Sequence, residues 1–506
     1  MFCSVYGADL YGVEGRVIRV EADVSDGLPV FLMVGYLASA VKEAKERVRI
    51  AIRNMEIRFP AKRVTISLSP ANLRKEGASF DLPIAVGLLT AFGYLPQKVL
   101  EDTMFIGELG LDGFVHGVPG VLAMVLAGRQ QGIHRFLVAR ENSREAAMVP
   151  GVQVFAVSSL QDAVDFLRGS SSKLPVRSSV SDILSKHNFS MNFSDVIGLG
   201  HVKKAMEIGV SGRHNILMIG PPGSGKTMLA KRLPGIMPDM TWEESLEVTK
   251  LYSACGLLSE DMPVVTCRPF RAPHHSVTAT ALTGGGRIPM PGEVSLASKG
   301  VLFLDELTEF SKSTLEMLRQ PLEEHCVSIA RVGHSFVYPS DCMFVAAMNP
   351  CPCGFFPDRD KCRCTQNDIS RYLSKISEPL LDRMDICVET GMPEFTFSAQ
   401  KGEDSESIQK RVEQAIQIQR ERYCGESFQF NGEMSEQAVE QYCVLNREDE
   451  EYLEEFFREK EYSLRRITRV LKVARTIADL DHKEQIQTGH LQMALQLRSI
   501  SKKYWG

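Results

Sequence analysis

The segment Gly220-Pro221-Pro222-Gly223-Ser224-Gly225-Lys226-Thr227 has the spacing G-x-x-x-x-G-K-[ST]. Its residue types dictate a chemistry. The glycines let main-chain N–H groups turn toward a polyphosphate, and a helix starting at the loop's end adds its positive terminus. Lys226 can then reach the β and γ phosphates of ATP, and the Thr227 hydroxyl can ligate Mg2+. The apolar run Asn215 to Ile219 precedes the loop and reads as the strand such a loop needs. Further on, Gly300-Val-Leu-Phe-Leu-Asp305-Glu306 is a second buried strand ending in two carboxylates. Asp305 is expected to help hold Mg2+, and Glu306 to orient and deprotonate the attacking water. A third run, Met343 to Ala347, leads into Met348-Asn349-Pro350. An Asn-Pro step alone is usually a turn; following the other two motifs, Asn349 is the candidate for positioning that water.

Directly after Asn349 come Cys351-Pro-Cys353 and then Cys362-Arg-Cys364. Four thiols so close together suit tetrahedral Zn2+ better than disulfides in a reducing compartment. C-x-C is a less usual spacing than C-x-x-C, so zinc and free thiols both stand as readings. Other cysteines lie singly in apolar contexts (Cys255, Cys326, Cys387) and read as buried reduced thiols.

A chain of 506 residues calls for about three domains at ~150 residues each. The Ser-rich stretch Gly169 to Ser190 reads as a linker, placed at 168–190. Before it, strands at Arg63 to Ser69, Met104 to Leu109 and Arg135 to Ala139 mix with helices at Ala38 to Asn54 and Val118 to Gln131. After it, the short continuous apolar runs predict parallel strands buried on both faces. From Pro393 onward helical patterns dominate, at Ser407 to Tyr423, Ser435 to Gln441, Glu448 to Glu459 and Leu464 to Leu480.

With 44% hydrophobic and 24% charged residues, the composition is that of a globular chain. The formal net charge of -5 excludes coating nucleic acid by bulk electrostatics, so any such contact requires local basic loops. The N-terminus lacks a basic segment followed by an apolar run, and no apolar stretch approaches the ~20 residues needed to span a bilayer. A cytoplasmic protein without membrane contact is expected.

The insert between Thr227 and Asp305 contains RPFRAPHH (Arg268 to His275) and GGGRIPMPGEVSLASKGVLFLDE (Gly284 to Glu306). With the nucleotide motifs, these segments resemble the magnesium chelatase-like family, within the helix-2-insert clade of AAA+ ATPases. The resemblance implies an α/β architecture: a Lon-protease-like α+β domain over 1–167, an AAA+ P-loop core with a parallel sheet over 191–392, and a helical lid over 393–506. It implies ATP and Mg2+ as cofactors, and a ring, usually a hexamer. Arg383, within Leu380-Leu-Asp-Arg383-Met-Asp385, corresponds to the arginine finger, and Arg465, within Ser463-Leu-Arg465, to the sensor-2 arginine. Lys75-Glu-Gly-Ala-Ser79-Phe-Asp81 matches the segment carrying the Lon serine, but Leu122 stands where Lon has its lysine. A serine without a base is a poor nucleophile, so this domain is expected to be non-proteolytic.

The function implied is an ATP-driven motor that translocates on, or branch-migrates, single-stranded or branched DNA in recombination and natural transformation. The alternative is a chelatase-type motor subunit that remodels a protein partner for metal insertion. For gripping DNA, the candidates are Arg331, in a hairpin read from the alternation around Cys326 to Val337, and Arg271 and Arg287 in the insert.

Overall fold

The computed structural model describes residues 1–177, 191–286, 289–331, 334–391, 402–460 and 464–505. The chain forms two compact units, Met1–Lys186 with Trp242–Thr266, and His187–Thr241 with Cys267–Gly506. Among the described residues no helix is long and apolar enough to cross a membrane.

The first unit is built on a seven-stranded mixed sheet. Its strands are β1 (Phe2–Tyr11), β2 (Glu14–Ser25), β3 (Val30–Val34), β4 (Arg63–Ser69), β5 (Thr103–Ile106), β6 (Arg135–Ala139) and β7 (Gln153–Val157), in the order β3-β4-β2-β1-β5-β6-β7. β1 and β2 pair antiparallel over their full lengths, and β1, β5, β6 and β7 run parallel. Alternate residues feed opposite cores: Phe105, Leu137 and Phe155 enter one, Met104, Ile106, Phe136 and Val138 the other. Helices Ser39–Asn54 and Asp81–Ala91 pack on the first face and Val121–Gln130 on the second. β1 and β2 carry no long unbroken apolar run, and the sequence does not mark the opening three strands.

The second core of this unit also takes in part of the later sequence. Helix Trp242–Ala254 lies on helix Val121–Gln130, Trp242 and Leu246 packing at the core's edge and Val264 within it. Gly120 N donates to Ser253 O at 2.9 Å. The buried Glu145 carboxylate accepts from Leu122 N at 2.8 Å and from the Ser253 hydroxyl. A contiguous core over 191–392 leaves this segment in the second unit; its apolar face and Ser253 place it in the first. Of the expected linker, residues up to 177 carry a Lys173–Asp162 ion pair and a Val176 N to Val154 O bond at 2.8 Å. Residues 178–190 lie outside those described.

The second unit contains a parallel five-stranded sheet of β8 (Ile216–Ile219), β9 (Phe270–Arg271), β10 (Val301–Leu304), β11 (Met343–Met348) and β12 (Ile386–Glu389), ordered β9-β10-β11-β8-β12. Ile216, Met218, Phe303, Val345 and Ile386 enter a core shared with helices Gly200–Gly212, Ser405–Arg422 and Leu464–Leu480. Leu217, Ile219, Leu304, Phe344 and Met348 point the other way, into a core that includes Cys351 and Cys362. Burial on both faces accounts for the unbroken apolar runs in sequence. The helical C-terminal region packs on the sheet directly, so core and lid share one apolar interior. Of the lone cysteines, Cys387 is buried, and burial pushes its thiol up to about 11. Cys255 and Cys326 are half-buried, a correction to the expectation of full burial.

His214, fully buried between sheet and lid, approaches Thr476 Oγ1 with Nε2 at 2.7 Å and Asp385 with Nδ1 at 3.9 Å. Burial, only partly offset by Asp385, lowers the imidazole to about 4. The unfolded chain therefore binds a proton near pH 6.5 that the folded chain refuses until about 4. Stability contributed by neutral His214 is complete above pH 6.5 and is lost as pH falls toward 4, on the order of 3 kcal/mol. Chemical denaturation across pH 7 to 4 should show that slope in the parent and a flatter one in His214→Gln.

Candidate active site

The C-terminal ends of three adjacent strands bring the expected nucleotide residues together. The P-loop follows β8, Asp305 and Glu306 follow β10, and Asn349 follows β11, which lies between the other two. This is where a parallel sheet exposes main-chain ends and polar side chains to a ligand. Within the loop, Gly223 and Gly225 take φ of +79° and +85°. Gly220 is needed for another reason: a Cβ there would lie 2.1 Å from Thr390 Oγ1 and 2.2 Å from Thr390 O. Ser224 Oγ and Thr390 Oγ1 are 2.7 Å apart, so the strand after β8 in the sheet buttresses the loop. Pro221 and Pro222 complete it, Pro222 meeting the turn at Gly354.

Lys226 is nearly buried and donates to Gly220 O and Pro221 O, each at 2.8 Å, and to Asn349 Oδ1 at 3.3 Å. Burial pulls the ammonium below its usual range, and Asp305 partly offsets this. Thr227 Oγ1 donates to Asp305 Oδ2 at 2.5 Å. Two hard oxygens meeting here fit Mg2+, whose octahedral ligands at 2.0–2.1 Å would require them to part by only a few tenths of an ångström. Glu306 sits at φ +52°, its N–H bonded to Asp305 Oδ1 at 2.9 Å and its exposed carboxylate reaching His275 Nδ1 at 3.6 Å. A left-handed conformation at a non-glycine residue costs about 1 kcal/mol, and here it turns the second acid away from the first.

Glu306 and Asn349 also line a cavity of about 870 Å³, with Glu309, Pro352, Cys353, Arg363, Cys364, Asp368, Arg371, Tyr372 and Lys375 on its other walls. Sequence spacing does not mark Arg363, Arg371, Lys375 or His275 as site residues. The first three lie in a loop and a short helix without a motif, and His275 belongs to the RPFRAPHH segment, whose spacing assigns it no role.

Arg383 is only 9% exposed; it donates to Arg319 O and to Pro379 O and forms an ion pair with Glu323. Arg465 lies in the first turn of helix Leu464–Leu480, exposed, and no hydrogen bond joins it to the P-loop among the described residues. Arg271 forms a bidentate ion pair with Glu293, both contacts at 2.7 Å, so it is an internal link within the insert and not an outward basic contact. Arg331 ends the first strand of the expected hairpin, Cys326–Arg331 paired with His334–Pro339, and is exposed, with one bond to Gly286 O at 2.6 Å. Arg287 lies outside the described residues. In the first unit Ser79 is buried and donates to Ala8 O at 2.8 Å, while Leu122 is fully buried in an apolar core.

Three family profiles match in succession: subunit ChlI of Mg-chelatase over residues 20–142, magnesium chelatase subunit ChlI over 192–397, and its C-terminal part over 402–498. The chain is 40% identical to competence protein ComM of Haemophilus influenzae over 505 residues, covering 98% of this chain and 97% of that protein. It is also 40% identical to the uncharacterized protein YifB of Salmonella typhimurium, covering 97% of this chain and 96% of that one. Lon protease 2 of Borreliella burgdorferi is 25% identical over 173 residues, 32% of this chain and 22% of the protease.

Gly220→Ala forces the loop off Thr390 backbone that cannot yield, so affinity for a fluorescent ATP analogue should fall at least about tenfold, roughly 1.4 kcal/mol. Gly223→Ala, with nothing within 4 Å of its Cβ, should pay only the ~1 kcal/mol of a left-handed residue. Equal affinities for the two variants would contradict the buttress.

Proposed function

The chain belongs to the magnesium chelatase-like family of ComM and YifB, and we propose that it is an AAA+ ATPase that hydrolyses ATP to drive a ring, a hexamer by family analogy, along single-stranded or branched DNA. The observation that carries the ATPase reading is the convergence of Lys226, Thr227, Asp305 and Asn349 across three strand ends, with Glu306 beside them. In this reading Thr227 and Asp305 hold Mg2+, and the loop's N–H groups and Lys226 bind the phosphates. Lys226 exchanges its carbonyl partners for phosphate oxygens, which, being anionic, accept more strongly. Glu306 takes the proton of the attacking water and Asn349 orients that water.

Arg383 serves a neighbouring subunit's ATP after giving up Glu323, and Arg465, exposed on the lid, contacts phosphate when the lid closes. Guanidinium groups arriving this way stabilise the charge that develops on the transferred phosphoryl group. The DNA reading rests on the similarity to a protein named for competence. The outward hairpin with Arg331 supplies the grip. The Lon-like domain expected over 1–167 is a non-proteolytic platform, since the Ser79 hydroxyl is committed to a main-chain carbonyl and Leu122 offers no base. The chelatase reading is favoured by the three profiles bearing that name and predicts ATPase activity indifferent to DNA.

Lys226→Ala should weaken nucleotide binding. Glu306→Gln should bind ATP as the parent does while kcat falls by about 10²-fold or more, as for loss of a general base. Normal turnover in Glu306→Gln would remove that assignment. ATPase rates with and without single-stranded, duplex and branched DNA separate the two functions. Marked stimulation is expected, and its loss in Arg331→Ala, with DNA-free turnover retained, would place the grip on the hairpin. A parent enzyme with no response to any of these DNAs would instead support the chelatase reading.

A further inference from the structure

We propose that Cys351, Cys353, Cys362 and Cys364 form a tetrathiolate zinc site that holds the wall of the cavity lined by Glu306 and Asn349 and presents Arg363 to it. The four Sγ atoms lie within 4.8 Å of one another, with Cys351–Cys353 at 3.4 Å, Cys353–Cys362 at 3.6 Å and Cys351–Cys362 at 3.8 Å. A tetrahedral ion with Zn–S near 2.3 Å sets its sulfurs about 3.8 Å apart, so the sulfurs already stand close to the corners of one coordination sphere. They are too far apart for disulfides, whose S–S length is about 2.05 Å, and all four cysteines are free. Single-ion spacing and all-sulfur donors favour zinc, the usual occupant of a closed four-thiolate site.

The surroundings are those of a charged metal site. Four thiolates and Zn2+ carry a net charge of −2, which burial would oppose. The same loop carries Arg359, Lys361 and Arg363 against Asp358 and Asp360, Lys361 pairing with Asp358, and Phe356 N points at Cys351 Sγ at 3.4 Å. Such cations and N–H···S contacts spread the excess charge and orient the ligands. Arg359 further ties the loop by bonding Gln366 Oε1 at 3.0 Å, at the start of the helix that carries Arg371 and Tyr372.

The position of the cluster gives it a task. Cys351 is fully buried and follows Asn349 by two residues, so one ligand is fixed to the end of β11. Gly354, at φ +85°, brings the knuckle so near the P-loop that a Cβ there would lie 2.5 Å from Pro222 Cδ. Cys362 and Cys364 bracket Arg363, which lines the cavity with Glu306 and Asn349. Pinning the residues on both sides of Arg363 shortens the range its guanidinium can sample. A fixed cation at that wall, on the ATPase reading above, offsets the charge that builds on the phosphoryl group during hydrolysis.

Full-length protein from zinc-replete cells, purified without chelator, should contain about one zinc per chain. Zinc-stripped parent titrated with Co2+ should develop the thiolate-to-cobalt absorption bands of a tetrahedral sulfur site. Parent protein with neither zinc nor cobalt bands, or with iron in place of zinc, overturns the site without recourse to a variant. Arg363→Ala should keep the zinc and the ATP affinity while kcat falls about tenfold or more. Unchanged kcat in that variant overturns the role of Arg363. Stoichiometric zinc in a parent that hydrolyses no ATP upholds the site, and overturns the ATPase reading and the role with it.

Discussion

Everything in the second unit follows from one constraint: its parallel sheet is buried on both faces, so polar side chains can emerge only at the strand ends. β8, β10 and β11 contribute nothing but apolar residues along their length. Their polar residues come at one edge together, and that edge carries the P-loop, the acid pair and the amide. β12 supports the arrangement from the side through Thr390. The proximity of Lys226 to Asn349 and of Thr227 to Asp305 is thus a consequence of strand order, because β11 lies between the other two.

The face of this sheet that receives Leu217, Leu304 and Phe344 also receives Cys351 and Cys362. A loop with four sulfurs, three cations and two prolines has little reason to lie flat against an apolar layer. Its first cysteine is drawn into the apolar layer, while Arg363 lines the cavity. Phe356 and Tyr504, with ring centroids 6.0 Å apart, close the layer from the C-terminal helix Thr488–Trp505. The same helix reaches β12 through Tyr504, whose hydroxyl donates to Glu389 at 2.5 Å. The cysteine loop is therefore held between the nucleotide edge and the end of the chain.

How much of this could be read from sequence depended on whether a feature was local. Continuous apolar runs gave β8, β10 and β11 nearly to the residue, and 3.6-residue periodicity gave the helices between 405 and 480 but not Thr488–Trp505. The P-loop and acid pair were legible because their spacing within the chain is the spacing the chemistry needs. Arg363, Arg371 and Lys375 were not, since each is an ordinary charge until folding brings it beside Glu306. The ion pair of Arg271 was hidden for the complementary reason: its partner, Glu293, is distant in sequence and sits in another element. The helix Trp242–Ala254 carries a helical signal, but nothing in it says that its apolar face belongs to a core formed by residues numbered more than a hundred earlier.

That helix makes the chain leave the second unit after Thr241 and return at Cys267, and the structure secures both ends of the excursion with one side chain. Arg268 donates to Pro238 O at 2.5 Å and Asp239 O at 3.3 Å on the outgoing side, and to Lys299 O at 2.6 Å. The last of these lies just before β10. Pro269 O then accepts from Val301 N at 2.8 Å, and Phe270–Arg271 continues as the edge strand beside β10. The approach is so close that a Cβ on Gly300 would meet Pro269 O at 2.0 Å, so only glycine serves there. One guanidinium, with five donors in a fixed plane, thus closes the excursion and fixes the start of the strand that ends in Asp305 and Glu306. The position of Asp305 and Glu306 is set from the far end of β10, by an arginine whose first task is to bring the chain back.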